Sequence, residues 1–431
     1  MPMSRRWQRE KVVQGAQDLK KRIWPVIYFA IVRIQLHAGT CIIVIKSLLA
    51  CEIKVSQAIE KINMNWKAFL GLLALLFMYS CGNHPVSISG KMVEVPMYKM
   101  KSFEYDDFPD GIFSVLDMVV LDSGEEYLFS QIDKAVCRGG NIYLLDWIQR
   151  KIFTYNIGGS ALSVLCKKGR GPGEYLQITD FDVDEQGHIW LWDGQKDRLL
   201  EYAPEGLLSS RNSDLDFQMF RCLDDGRFLF QLAPWDDSKY SGKELLLSDR
   251  ELDIENAFID YGDFFDPNYQ LPSLGFSDNG TDIFYHQPID DDVYRINASG
   301  NIDSVYRFDF GGRTVPDKVK KNIERNLEEF SGYTTIAKTV CVQPDCIVGS
   351  LYDGRMLKDF IIDRRSGYVY TQNEEYKFLR LVGISEGKAV FWVVPGYELP
   401  ASFPAMYRTE YESGHEILAI MNIDKLSLKL K

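Results

Sequence analysis

Two stretches of this chain, Asn141 to Tyr155 (NIYLLDWIQRKIFTY) and His188 to Tyr202 (HIWLWDGQKDRLLEY), align without a gap at a spacing of 47 residues. Ile142, Asp146, Lys151 and Tyr155 meet Ile189, Asp193, Arg198 and Tyr202. Self-similarity at such a period marks a repeat architecture, in which units bury their apolar faces against neighbours. The more complete unit runs from Lys167 to Tyr202: a glycine-rich loop, a D-E-Q-G turn, the strand-like run IWLWD and a further strand ending in an aromatic residue.

The tight turn ahead of each such strand can be followed along the chain at Gly140, Gly187, Gly226, Gly280, Asp345 and Gly387. The strand pieces behind the later turns, RFLFQL, DIFYH, CIVGSL and KAVFWVV, are β-branched or aromatic runs bounded by turn residues. Six turns at spacings of 39 to 65 residues predict an all-β fold, a six-bladed β-propeller of four-stranded antiparallel blades. A ring must close, because an open sheet edge invites aggregation. Residues 112–121 (IFSVLDMVVL) are the expected closing strand, paired with the last blade.

The run GRGPGEY, followed by DFDVDEQGHIWLWD and a third strand, resembles the NHL-type repeat. More closely, the chain resembles the six-bladed β-propeller lipoproteins of Bacteroidetes. The likeness is close in motif over residues 112–208 and extends in organisation to residue 424. It implies an exported propeller and assigns no activity.

The region from Met64, MNWKAFLGLLALLFMYSCGN, has a basic start at Lys67, eleven apolar residues from Ala68 to Met78, and Ser80 before Cys81. This is the pattern of a secretory signal, too short to span a bilayer core. With a small residue before the cysteine it predicts a lipoprotein leader over 64–80 and a lipid on Cys81. Residues 1–63 are expected to be a non-native or disordered extension, 81–108 a tether and 109–431 the propeller. The segment after Cys81, GNHPVSISGK, has no acidic residue; within the resemblance, that implies a lipid-anchored protein of the cell envelope facing the periplasm rather than the cell surface.

Residues 1–63 hold eleven Lys and Arg against four Asp and Glu, and the remainder holds 38 against 57. An acidic body repels phosphate backbones, so nucleic acid is excluded as the partner of the folded part. Five cysteines follow Cys81: Cys137, Cys166, Cys222, Cys341 and Cys346. The odd number argues against a disulfide framework, and Cys341 and Cys346 are expected as buried thiols.

In an up-and-down blade, the loops between strands one and two and between three and four share one face. All of those are tight here. The opposite face receives the long additions, 233–243, 311–337 and 395–414, and function concentrates in long loops on a rigid scaffold. The middle addition, VPDKVKKNIERNLEEF, predicts a helical insertion between blades 4 and 5, starting at Pro316 and Asp317 with Val319, Ile323, Leu327 and Phe330 on one stripe.

The candidate ligand- or partner-binding residues on this face are Trp147, Arg170, Glu174, Tyr175, Trp235, Asp236, Tyr269, Asp290, Tyr333 and Tyr376. Rings supply flat apolar area and carboxylates supply acceptors, a mix suited to an envelope protein, a peptide or a glycan. The competing role for single rings is packing between blades. The glycine run lacks a following GK[ST] and precedes a strand, so it reads as a joint between blades 1 and 2 rather than a phosphate cradle.

No GxSxG elbow is present, and His84, His188, His286 and His415 do not assemble a three-histidine metal site. No catalytic residue, metal ligand or cofactor is therefore assigned; Ca²⁺, held by carboxylates, is the one ion the composition leaves open. Two functions follow: a binding or scaffolding module, or a metal-dependent hydrolase or lyase similar to NHL-type and lactonase-type propellers with a divalent ion in the channel.

Overall fold

The computed structural model describes residues 90–262, 274–287 and 289–429, with side chains to residue 426. Six sheets succeed one another along the chain. Their first strands are Lys134–Arg138, Asp180–Val183, Phe217–Cys222, Phe276–Asp278, Thr334–Val342 and Leu379–Ser385. These strands neighbour one another around the channel. The six turns read from the sequence each join a first strand to a second, and five of them place glycine at φ between +66° and +87°, a region that side chains disfavour.

Blades 1 to 5 take their four antiparallel strands in sequence order. Blade 6 takes its fourth from Asp117–Val120, which pairs antiparallel with Ile417–Asn422 in the register Ile420↔Asp117 to Ile417↔Val120. The ring is closed by the expected segment, although Ile112–Val115 at its start is a 3-10 turn. Closure forces blades 6 and 1 into close approach. A Cβ at Gly383 would stand 2.1 Å from the carbonyl oxygen of Ala135, so only glycine fits there without a shift.

Residues 91–104, expected within a tether, are part of the fold. Lys91–Val95 pairs in parallel with Ile302–Phe308, the outer strand of blade 4. Lys101–Glu104 does the same with Tyr368–Thr371 of blade 5. These two blades are therefore five-stranded. Val95, Tyr105 and Phe108 are buried as a consequence. Parallel addition to an edge rests on backbone hydrogen bonds, which leave little trace in so short a pattern.

The middle strands are buried on both faces because each blade is sandwiched between two others. In Asn141–Asp146, Ile142 and Leu144 pack toward blade 6, while Tyr143 and Leu145 pack toward blade 2. In Ile189–Asp193, Ile189 and Leu191 face blade 1, while Trp190 and Trp192 face blade 3. There Trp192 meets Phe217 at 5.1 Å and Trp190 meets Phe228 at 4.9 Å, both edge to face. Each such fully buried large side chain contributes about 1.5–3 kcal/mol of apolar burial.

Polar side chains tie neighbouring blades together. Asp180 accepts from the Phe220 N–H at 2.9 Å and Asp182 from the Cys222 N–H at 2.7 Å. Ser385 accepts from the Cys137 N–H at 2.6 Å, and Ser277 donates to the Val340 carbonyl at 2.7 Å. Within blades 1 and 2 the aligned residues Asp146 and Asp193 have one shared task. Asp146 accepts from the N–H groups of Ser130 and Gln149, Asp193 from those of Leu176 and Gln177, fixing the loop that enters each blade.

The insertion between blades 4 and 5 differs from a single helix. It forms two short helices, Asp317–Lys320 and Leu327–Phe330. Asn326 interrupts them at φ −116°, with its side-chain amide bonded to the Asn322 carbonyl at 2.9 Å; asparagine competes locally with the helical ladder. Val319, Ile323 and Phe330 are buried with Ile289 and Val315, whereas Leu327 is 45% exposed. The 395–414 addition carries a helix that the sequence pattern did not announce, Ala405–Glu412.

Candidate functional site

The two ends of the channel can be compared residue by residue. At the tight-turn end, Arg221 is buried between Asp182, whose Oδ1 accepts from Nη1 at 3.0 Å, and Asp278, which accepts from Nη2. Asp278 Oδ1 also accepts from the N–H groups of Gly280 and Glu386, at 2.9 and 2.7 Å. A cleft of about 40 Å³, lined by Arg138, Arg221, Cys222, Asp224, Asp278 and Thr281, lies there. It has room for about one water molecule.

The long additions do fall on the opposite face, where blades are entered and where their second and third strands are joined. Trp147, on the short turn 147–150 of blade 1, and Trp235, on the 233–243 addition, are each 51% exposed, and Leu128, Ile148, Tyr397 and Met406 are exposed on the same face. Arg170 is exposed and Tyr333 half-buried, with its hydroxyl 3.4 Å from Glu329 Oε1.

Other candidates are occupied by the scaffold. The Tyr175 ring is buried, and its hydroxyl donates to the Arg150 carbonyl at 2.9 Å. Glu174 Oε2 accepts from the Gly171 N–H at 2.8 Å, and the Glu174 carbonyl accepts from Arg198. A Cβ at Gly169 would collide with the Glu174 carboxylate at 2.0 Å, which accounts for one glycine of the GRGPGE run. That run is the joint between blades 1 and 2. Asp236 accepts from the Asp216 and Ser238 N–H groups at 3.1 and 2.9 Å. The buried Tyr376 donates to Asp106 Oδ1 at 2.9 Å. Cys81 and Tyr269 lie outside the described residues.

Asp290 belongs to a group of acids beneath the two short helices. Burial raises its pKa, with the Lys320 ammonium opposing. Burial pushes the neighbouring Asp291 carboxyl up to about 7, against the pull of Lys320 and a hydrogen bond from Thr335 Oγ1 at 2.9 Å. His286, also buried, is lowered to about 4 by burial, with its Nε2 3.1 Å from the Asp290 carbonyl.

The sequence reading missed the cations at the long-loop mouth of the channel. Lys134 opens the first strand of blade 1, and its Nζ donates to Asp180 Oδ1 and to the Phe181 carbonyl, both at 2.7 Å. Lys338 sits where the first strand of blade 5 shifts register, between Ile336 and Val340. Its Nζ donates to the Leu381 carbonyl at 3.3 Å, and burial lowers its pKa. Arg380, beside Leu381, stacks on Trp392 at 5.5 Å. A lysine in the apolar run TTIAKTVCV was the available signal, since a charge in a buried strand marks a channel or a site.

Among the described residues one group has the side-chain types of a metal site: Asp184, His188 and Glu201 on the outer part of blade 2. Its two carboxylates are engaged, while His188 Nδ1 lies 3.4 Å from each of them without a hydrogen bond. Asp184 accepts from the Trp190 indole and two backbone N–H groups, and Glu201 accepts from Ser209 and from Arg250, each at 2.6 Å. Arg211 lies 3.7 Å from the same carboxylate, and two guanidinium groups oppose a dication there. Cys341 and Cys346 are buried and not disulfide-bonded. No helix among the described residues is long and apolar enough to cross a membrane.

Six radial sheets around a channel, closed by a strand from the chain's early part, define a six-bladed β-propeller. The profile of the 6-bladed beta-propeller family DUF5128 matches residues 89–342, and the chain belongs to that family. Among solved structures, a putative exported protein of Bacteroides fragilis is similar at 19% identity and TM-score 0.62, over 77% of this chain and 99% of that one. A DUF4221 family member from Bacteroides vulgatus aligns at 11% identity and TM-score 0.42, over 71% and 97% of the two chains. An inactive virginiamycin B lyase from Staphylococcus aureus, solved with quinupristin, aligns at 10% identity and TM-score 0.39, over 68% and 82%. At 19% identity the likeness to the B. fragilis protein shows the fold alone. The search of curated proteins returned no match.

Proposed function

We propose that this chain is an exported propeller, held to a membrane of the cell envelope by a lipid on Cys81, that binds a ligand or partner through its long-loop face. The observation that carries the reading is the asymmetry of exposed apolar surface. Leu128, Trp147 and Ile148 of blade 1, Trp235 of blade 3 and Tyr397 and Met406 of blade 6 stand exposed on the long-loop side, against Ile157 at the tight turns. The other exposed apolar groups, such as Leu162, Leu207 and Leu208, lie on outer strands. Exposed apolar groups around one mouth suit an interaction surface. Export is supported by the leader pattern before Cys81 and by the likeness to the B. fragilis protein. Binding is favoured over metal-dependent hydrolysis because Asp180, Asp182 and Asp278 in the channel are already engaged by Lys134, Arg221 and backbone N–H groups.

The test compares wild type with the double variant Trp147→Ala/Trp235→Ala on a glycan array and in capture from detergent-solubilised envelope. The expected result is loss of the retained species by the variant with an unchanged melting temperature. Equal retention by wild type and variant, with loss instead on Arg227→Gln at the tight-turn face, would overturn the choice of face. Mass spectrometry of the membrane fraction checks the anchor: a product beginning at a lipidated Cys81 is expected, and an intact Met1 terminus is the contrary outcome.

A further inference from the structure

We propose that the long-loop mouth of the channel binds the carboxylate of an acidic saccharide, with Lys338 and Arg380 as its donors. The inference rests on the long-loop face being the binding face and names what that face recognises.

Lys338 reaches from its own strand to the residue next to Arg380 in the strand Leu379–Ser385. The Lys338 ammonium reaches from blade 5 to the Leu381 carbonyl of blade 6, its one hydrogen bond among the described residues, and at 3.3 Å a long one. An ammonium has three N–H donors, so two remain for another acceptor. The Arg380 guanidinium lies over the Trp392 ring and makes no hydrogen bond or ion pair among the described residues. Stacking on a ring leaves the in-plane N–H fork of arginine open, and that fork matches a carboxylate.

The carboxylates nearest these cations have other partners. Asp133 accepts from the Trp147 N–H at 2.7 Å and from Gln131 Nε2 at 2.5 Å. Asp359 accepts from Ser350 Oγ at 2.5 Å and from the Leu381 N–H at 3.1 Å. Neither forms an ion pair with Lys338 or Arg380 among the described residues. Lys134, the third cation of the mouth, is neutralised by Asp180. Burial lowers the pKa of Lys338, with the charges of Asp359 and Asp133 opposing, and a ligand carboxylate within reach of the ammonium supplies the direct ion pair that neither acid makes.

The saccharide part follows from what surrounds the cations. The Trp147 N–H donates to Asp133, and the Trp147 side chain is half-exposed on the same face. An exposed flat ring offers a stacking surface, and the Asp133 carboxylate a hydroxyl acceptor. A polyhydroxylated ring bearing one acid uses the fork, the acceptor and the flat surface at once. An extended tri-aspartate peptide can meet the fork and the acceptor but has no ring to lay on the flat surface.

Calorimetric titration of the full chain with a galacturonate trisaccharide, the neutral galactose trisaccharide and a tri-aspartate peptide tests this. The acidic saccharide is expected to bind at least about tenfold more tightly than the other two, the scale of one charge-assisted contact. Arg380→Gln and Lys338→Met are each expected to weaken it by about tenfold or more, and Lys338→Arg to retain most of it. Equal binding of acid and neutral sugar, preference for the peptide, no binding of the acid, or indifference to both variants overturns the proposal. Should Lys338→Met fail to fold, the acid-to-neutral ratio measured on wild type still decides. Equal sugar binding that is lost on Trp147→Ala sinks the carboxylate and leaves the face standing; binding lost only on Arg227→Gln sinks both.

Discussion

At the tight-turn end of the channel Arg221 is enclosed by two carboxylates that themselves accept backbone N–H groups. At the long-loop end Lys338 and Arg380 have one long hydrogen bond and one aromatic stack between them. The first strands of blades 2, 3 and 4 supply the first end and those of blades 5 and 6 the second. At the first end each carboxylate meets both the guanidinium and a backbone N–H of another blade, whereas at the second end Asp133 and Asp359 accept from neutral groups and form no ion pair with Lys338 or Arg380 among the described residues. One end is built as a clasp and the other as a receptor.

The largest effect expected from this contrast is at the clasp. Arg221→Ala leaves Asp182 and Asp278 buried without their cation, which costs about 3–5 kcal/mol. Urea denaturation reads it directly, and a loss below about 1 kcal/mol would show that water replaces the guanidinium and that the two ends are more alike than drawn. Next comes closure, common to both ends. Gly383→Ala forces a methyl against the Ala135 carbonyl and is expected to cost about 1–3 kcal/mol, again measured by denaturation; a neutral result would mean the ring relaxes at the joint of blades 6 and 1.

A pH experiment probes the receptor side. Asp291 is held at about 7, above the ordinary carboxylate value of 3.8. Between roughly pH 4 and 7 the folded state keeps a proton that the unfolded state has released, so stability falls as pH rises through that window, by at most about 1.4 kcal/mol per unit. Below that window the contribution is fully present. Asp291→Asn keeps an oxygen for Thr335 and the Ile336 N–H and is expected to flatten this part of the profile. Parallel slopes for variant and wild type in melting curves across pH 4.5–7.5 would contradict it. The smallest effect is at Trp235, whose exposed ring is expected to be dispensable for stability within about 0.5 kcal/mol on replacement by alanine; a larger drop in melting temperature would make it a packing residue.

The propeller was legible because its repeat is local. Asp146 and Asp193 recur at one offset since each blade must fix its entering loop in the same way. The site was less legible. Tyr175 and Tyr376 look like surface aromatics in sequence, yet their rings fill the blade 1–2 joint and the base of the early straps, contacts made across 10 to 270 residues. Lys338 and Arg380 are 42 positions apart and come together only because two strands lie side by side around the channel.

What the sequence determined by itself was the blade number, the strand that closes the ring and the face that carries the insertions, because period and turn chemistry are local properties. The tertiary structure alone decided that residues 91–104 extend blades 4 and 5, that Asn326 splits the expected helix, and which charges remain without partners. Those outcomes depend on edge pairing and on charges meeting across the ring, and neither is written in the spacing of neighbouring residues.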